Sequence, residues 1–100
     1  GNPHAENMLG IMHEHGKGTK IDHEAAASWY RKAANQNIAK AQANLGILLG
    51  PDSEDPERRA ESLKWLTIGA NNNEVTAIKS LDAARVTASA EEIAAADREA

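Results

Sequence analysis

An all-α fold is predicted, an α–α superhelix built as a solenoid of antiparallel helix pairs, and three observations predict it. The chain matches itself at an offset of 36 residues: Ala5, Leu9 and Gly10 recur as Ala41, Leu45 and Gly46, Trp29 as Trp65, and Ala34 as Ala70. A fixed period of roughly 20 to 50 residues marks small units that stack on one another. Apolar residues recur at helical spacing inside each copy, and no period-two strand pattern is found. Helix-start and helix-stop signals fall twice per period. The 100 residues suit one domain, 1–100, divided as repeat 1 over 1–36, repeat 2 over 37–72, and a half repeat plus cap over 73–100. That is about 2.5 repeats with a C-terminal capping helix, near the minimum for a stable stack.

The elements follow in order. Asn2 and Pro3 read as an N-cap with proline at the first helical position. The first helix then runs to about His15, with Ala5, Met8, Leu9 and Met12 at helical spacing, and Gly16-Lys17-Gly18 ends it. Asp22 caps a second helix that sets Ala26, Trp29, Ala33 and Ala34 on one face. Asn35-Gln36-Asn37 breaks the chain, and a third helix carries Ala41, Leu45 and Leu48 to Gly50-Pro51. Asp55-Pro56 repeats the cap-then-proline signal for a fourth helix with Leu63, Trp65, Leu66 and Ala70. After Asn71-Asn72-Asn73 a fifth helix spans about Val75 to Val86, in which Ala77 and Leu81 continue the repeat and Asp82 replaces the glycine. Ser89-Ala90-Glu91-Glu92 has capping-box spacing, which predicts a short closing helix. Alanine is abundant and aromatics are few, so Trp29, Tyr30, Trp65, Leu9, Leu45 and Leu81 should dominate the packing.

Composition removes several functions. Eleven basic and 15 acidic residues give a net charge of −4 with both signs interleaved. Nucleic acid is therefore not an expected partner. There is no cysteine, so no disulfide, thiolate metal site or cysteine nucleophile exists. The longest apolar run, Gly46 to Gly50, is far too short to insert in a membrane. His13-Glu14-His15, with His4 and His23, invites a metal reading. Histidines two apart on a helix point to different faces, however, and the His-Glu-x-x-His spacing is absent. Gly10 to Lys17 fails as a phosphate loop, because its glycine spacing is wrong and no strand precedes it. Acids and serines lack any catalytic context. The chain is read as no enzyme, with no cofactor and no metal.

The motif wording goes further. Ala5-x-x-x-Leu9-Gly10, then Gly16-x-Gly18, then Asp22-x-x-x-Ala26-x-x-Trp29-Tyr30-x-Lys32-Ala33-Ala34 closely resembles the Sel-one-like repeat family, relatives of the tetratricopeptide repeats. The resemblance covers residues 1–88, and its first copy is the most specific. The second copy departs at Gly50-Pro51-Asp52-Ser53, at Ser62 where Ala26 stands, and at Gly69 where Ala33 stands. Glycine inside a helix costs about 1 kcal/mol against alanine. Gly10 and Gly46 are therefore expected where the second helix of the pair crosses, the alternative being a kink. Gly1 to Ala5 matches an inter-repeat turn, which leads to the expectation that the chain begins at a repeat boundary of a longer array, the alternative being a cloning-derived glycine.

The resemblance implies a module that binds a protein or peptide in a concave groove lined by the first helix of each pair. By helical spacing that stripe holds His4, Asn7 and Ile11, then Lys40, Ala43 and Ile47, then Thr76, Lys79 and Ala83. It is mildly basic, suited to a peptide with some acidic groups. The alternative function is a spacer or self-assembling fragment, with self-association through the exposed face of the first repeat. A hydrolase reading would borrow from cysteine-rich members, and this chain lacks the cysteines. A bacterial source is a further expectation; compartment and partner identity are not legible.

Overall fold

The computed structural model describes residues 2–84, which form five α-helices in antiparallel sequence. α1 (Pro3–His15) starts as expected: Asn2 Oδ1 accepts from the N–H of His4 at 2.8 Å and of Ala5 at 3.3 Å. It stops at Gly16, whose φ of 72° is the left-handed cap that glycine adopts without a Cβ clash. α2 (His23–Ala34) opens on Asp22, whose carboxylate accepts from Ala25 N–H at 3.0 Å. α3 (Ala39–Leu49) has no side-chain cap, and α4 (Pro56–Asn71) is capped by Asp55. α5 (Val75–Ala84) completes the described part, and the predicted closing helix lies outside the described residues. Asn37 and Asn73, 36 residues apart, both sit at positive φ, 64° and 63°, so the inter-repeat turn repeats in conformation as well as in sequence. Among the described residues there is no strand.

Each helix packs on the next: α1 on α2 and α3 on α4 within pairs, α2 on α3 and α4 on α5 between them. This is the pattern of an α-solenoid. The glycine expectation holds. A Cβ on Gly10 would stand 2.5 Å from Tyr30 Cδ1, and one on Gly46 would stand 2.6 Å from Leu66 Cγ and 3.1 Å from Ser62 O. Gly69 answers a third close approach, 2.9 Å to the Cβ of Ala77 on α5. Ser62, the departure from the alanine of the first copy, is buried and donates its hydroxyl to Gly46 O at 2.6 Å.

Two apolar clusters make the core. The first joins Ala26, Ala27, Tyr30, Ala33 and Ala34 of α2 to Ala41, Leu45 and Leu49 of α3 and Trp65 of α4. The second joins Ala43, Leu63, Leu66, Ala77, Leu81 and Ala84. Equivalent residues differ here, and the sequence reading needs correcting. Trp65 is 6% exposed because α2 covers it, whereas Trp29, over which no described helix lies in that way, is only partly buried. Leu9 is likewise half-buried and Ala5 exposed, although Leu45 and Ala41 are fully buried. Tyr30, not Trp29, is the buried aromatic of the first pair.

Polar side chains tie the repeats together. Gln42, 2% exposed, donates from Nε2 to Ala34 O at 3.1 Å and accepts from Asn72 Nδ2 at 2.9 Å. Arg31 forks onto Glu61 with bonds of 2.9 and 3.1 Å, and Trp65 Nε1 donates to the same carboxylate at 3.2 Å. Burial would raise the Glu61 carboxyl, but the Arg31 and Trp65 hydrogen bonds and the nearby Arg31 and Lys64 charges outweigh it and hold the group below its usual value.

Candidate functional site

α1, α3 and α5 run in the same direction and share one face, and two clefts open on it. The first, about 300 Å³, is lined by Asn7 and Ile11 of α1, Lys40, Ala43 and Asn44 of α3, and Glu74 and Thr76 at the start of α5. Its floor is a carboxamide pair: Asn44 Nδ2 donates to Asn7 Oδ1 at 3.0 Å. Asn7 is 8% exposed, so this pair bridges the two repeats in partly dry surroundings. A buried amide keeps such a partner because leaving it unmade costs about 1–3 kcal/mol. Glu74, which accepts at 3.4 Å from Thr76 N–H, lines the same cleft as Lys40.

The second cleft, about 420 Å³, lies at the other end of the face between Ile47, Gly50, Pro51 and Asp52 on one side and Ser80, Ala83 and Ala84 on the other. Its wall is largely apolar, built from Ile47, Pro51, Ala83 and Ala84. Ile47 is 42% exposed, a large apolar residue held at the rim.

The nine groove positions expected from the sequence therefore separate. Asn7, Ile11, Lys40, Ala43 and Thr76 meet in the first cleft, and Ile47 and Ala83 in the second. His4 and Lys79 are exposed and line neither. Ala43 is 2% exposed and belongs to the second core cluster, because its methyl turns toward α4 and α5; it can offer a partner a floor and little more. Asn44 and Glu74 were missing from the sequence stripe. Asn44 sits one position off it, on the side facing α1, and Glu74 belongs to a turn that helical spacing does not index. With Glu74 in place the first cleft is balanced in charge, where the sequence implied a basic one.

Among the described residues no three His, Asp or Glu side chains gather as metal ligands, and no helix is long and apolar enough to cross a membrane. Tyr30 is pushed far above its ordinary value, first by burial and then by the hydrogen bond and charge of Glu14, to which it donates at 2.6 Å. Tyr30 is fully buried, and its phenol donates within the first helix pair.

Comparison with known proteins decides the family. The Sel1 repeat matches twice, over residues 3–38 and 39–74. The chain belongs to the Sel1 repeat family. Over 42 residues it is 48% identical to a sel1-like repeat-containing protein of Acanthamoeba polyphaga mimivirus, a match covering 42% of this chain and 8% of that protein. That relative is viral, so it gives no support to a bacterial source. Sel1 repeats are in general protein–protein interaction modules on a non-catalytic repeat scaffold.

Proposed function

We propose that this chain holds a segment of a partner protein along the α1–α3–α5 face, the concave side of the superhelix, with the two clefts as its subsites. The observation that carries this reading is the pairing of a polar cleft, floored by Asn7 and Asn44, with an apolar one rimmed by Ile47 on the same face. Pockets with an apolar wall and a few placed polar groups are the usual form of a recognition site. A peptide with an apolar side chain for the Ile47 cleft and amide or acidic groups near Lys40 fits this order. Lys79 adds positive charge outside the clefts and would speed encounter more than it would hold the complex.

Peptides selected from a displayed random library against the whole chain test the reading. Selected peptides should lose affinity for an Ile47→Asp variant and for Lys40→Ala with Lys79→Ala, while circular dichroism and melting stay as in the parent. Peptides that bind both variants as well as the parent would place recognition elsewhere.

A further inference from the structure

The polar cleft holds an unfinished set of hydrogen bonds. Its floor is the carboxamide pair in which Asn44 Nδ2 donates to Asn7 Oδ1 at 3.0 Å. That bond joins one amide nitrogen to one carbonyl oxygen and leaves the other nitrogen and the other oxygen free. Among the described residues, Asn7 Nδ2 and Asn44 Oδ1 bond to no other group. Asn7 is 8% exposed, yet its free amide is not sealed in. The buried, unpartnered side-chain atom among the described residues is His13 Nδ1, toward the end of α1. Both asparagines line the cleft, so a free donor and a free acceptor open there. Turning both amides over exchanges their roles and leaves the same complement.

The repeat does not require this pair. Asn7 and Asn44 stand at non-equivalent positions, and 36 residues on they become Ala43 and Ser80. α3 lies against α5 with no carboxamide in either place. Stacking alone therefore gives no reason for two half-bonded amides beside Ile11 and Ala43, where an unmade hydrogen bond is costly. The walls of this cleft are complete within the described residues, since α1, α3 and the start of α5 supply all of them.

The flanks narrow the ligand. Lys40 and Glu74 line the cleft together, and neither has an ion-pair partner among the described residues. An ion of either sign meets a like charge there, so a neutral, dipolar group fits best. A neutral group that offers C=O and N–H side by side is the edge of an extended main chain, where both groups of one residue point the same way. A helical segment has already used those groups within itself. We infer, resting on the binding face proposed above, that the polar cleft grips the main-chain edge of an extended partner segment. One residue's C=O takes the Asn7 amide, and its N–H goes to the Asn44 carbonyl. The polar cleft then fixes backbone conformation, and the Ile47 cleft selects the side chain.

Uncharged probes test this on the whole chain. N-acetyl-tetra-alanine methylamide offers main-chain groups and no polar side chain, and propionamide offers a carboxamide like that of a side chain. In heteronuclear NMR the side-chain NH2 signals of Asn7 and Asn44 should shift saturably with the alanine probe. The same probe N-methylated at its internal amides should bind about tenfold more weakly, because it strands the Asn44 acceptor. Asn7→Asp keeps an acceptor for Asn44 and turns the free donor into an oxygen, so it should weaken the alanine probe by a similar factor. Circular dichroism identifies a variant that misfolds, and the comparison of probes on the parent chain needs no variant. No saturable shift with the alanine probe, equal affinity of the N-methylated probe, or a response to propionamide alone would overturn the inference. The binding face is read separately. Library peptides that depend on Ile47, with Asn7 and Asn44 unmoved by the alanine probe, would keep the face and sink the main-chain grip. The reverse result would keep the grip and sink the two-cleft face.

Discussion

Gly10 and Gly46 carry no side chain where the second helix of each pair passes, and a methyl group at either point meets atoms already in place. At Gly46 the obstacle includes the backbone oxygen of Ser62, which cannot rotate away. Gly46→Ala should destabilise by about 1–3 kcal/mol, the usual cost of overpacking, despite the better helix propensity of alanine. Chemical denaturation reads this directly, and unchanged or greater stability would mean that the pair can spread without loss. Tyr30 makes a different statement. Its phenol is held protonated in the folded chain, so the unfolded chain ionises first as pH rises past about 10. The stabilising contribution is complete below that pH and is lost above it. Alkaline unfolding should begin there in the parent, and Tyr30→Phe should move its onset to higher pH at some cost in stability near neutrality from the lost Glu14 bond. Tyrosinate absorbance rising well before loss of helicity would contradict the buried, bonded phenol.

Between elements, identical residues have unequal worth. Trp65 sits under α2, whereas Trp29 is only partly buried, with no described helix in that position and Lys32 Nζ 4.6 Å from its ring. Trp65→Ala should cost about 3–5 kcal/mol as a core cavity. Trp29→Ala should cost less than half of that, and equal losses would show that the first repeat's face is as covered as the second's. Glu61 adds a pH term at the same interface. Its carboxyl is held below the usual value, so its stabilisation is present above about 4.5 and fades as pH falls through the lower folded value. Acid melting should accordingly be less steep in Glu61→Gln. These asymmetries mark the limit of what the sequence discloses. Periodicity, caps and glycines place every described helix, because each is a local pattern with a local cause. The exposure of Ala5 and Trp29 has no local sign, since Ala41 and Trp65 are the same residues with different neighbours. The candidate site is legible to the same extent: Asn7, Ile11, Lys40 and Ile47 follow from helical spacing. Glu74 lies in a turn, and the Asn7–Asn44 bond requires knowing which helices touch.

For the molecule as a whole, the two core clusters overlap on the middle pair. α3 contributes Ala41, Leu45 and Leu49 to one cluster and Ala43 to the other, and α4 contributes Trp65 to one and Leu63 and Leu66 to the other. α1 contributes only the half-buried Ile11 to this core, and α5 belongs to one cluster alone. In a stack held by nearest neighbours, stability is graded by how many neighbours a unit has. Native-state hydrogen exchange should therefore find its slowest amides in α3 and α4, with α1 opening at lower free energy than global unfolding. The same logic bears on recognition. The α1 side chains of the first cleft, Asn7 and Ile11, would then ride on a less protected helix, and Lys40, Asn44 and Ile47 on one of the most protected. A ligand bridging both should slow exchange in α1 far more than in α3, because binding there adds a neighbour that α1 lacks. If α1 and α3 amides exchange at one common rate without ligand, the chain opens as a single unit and the graded picture fails.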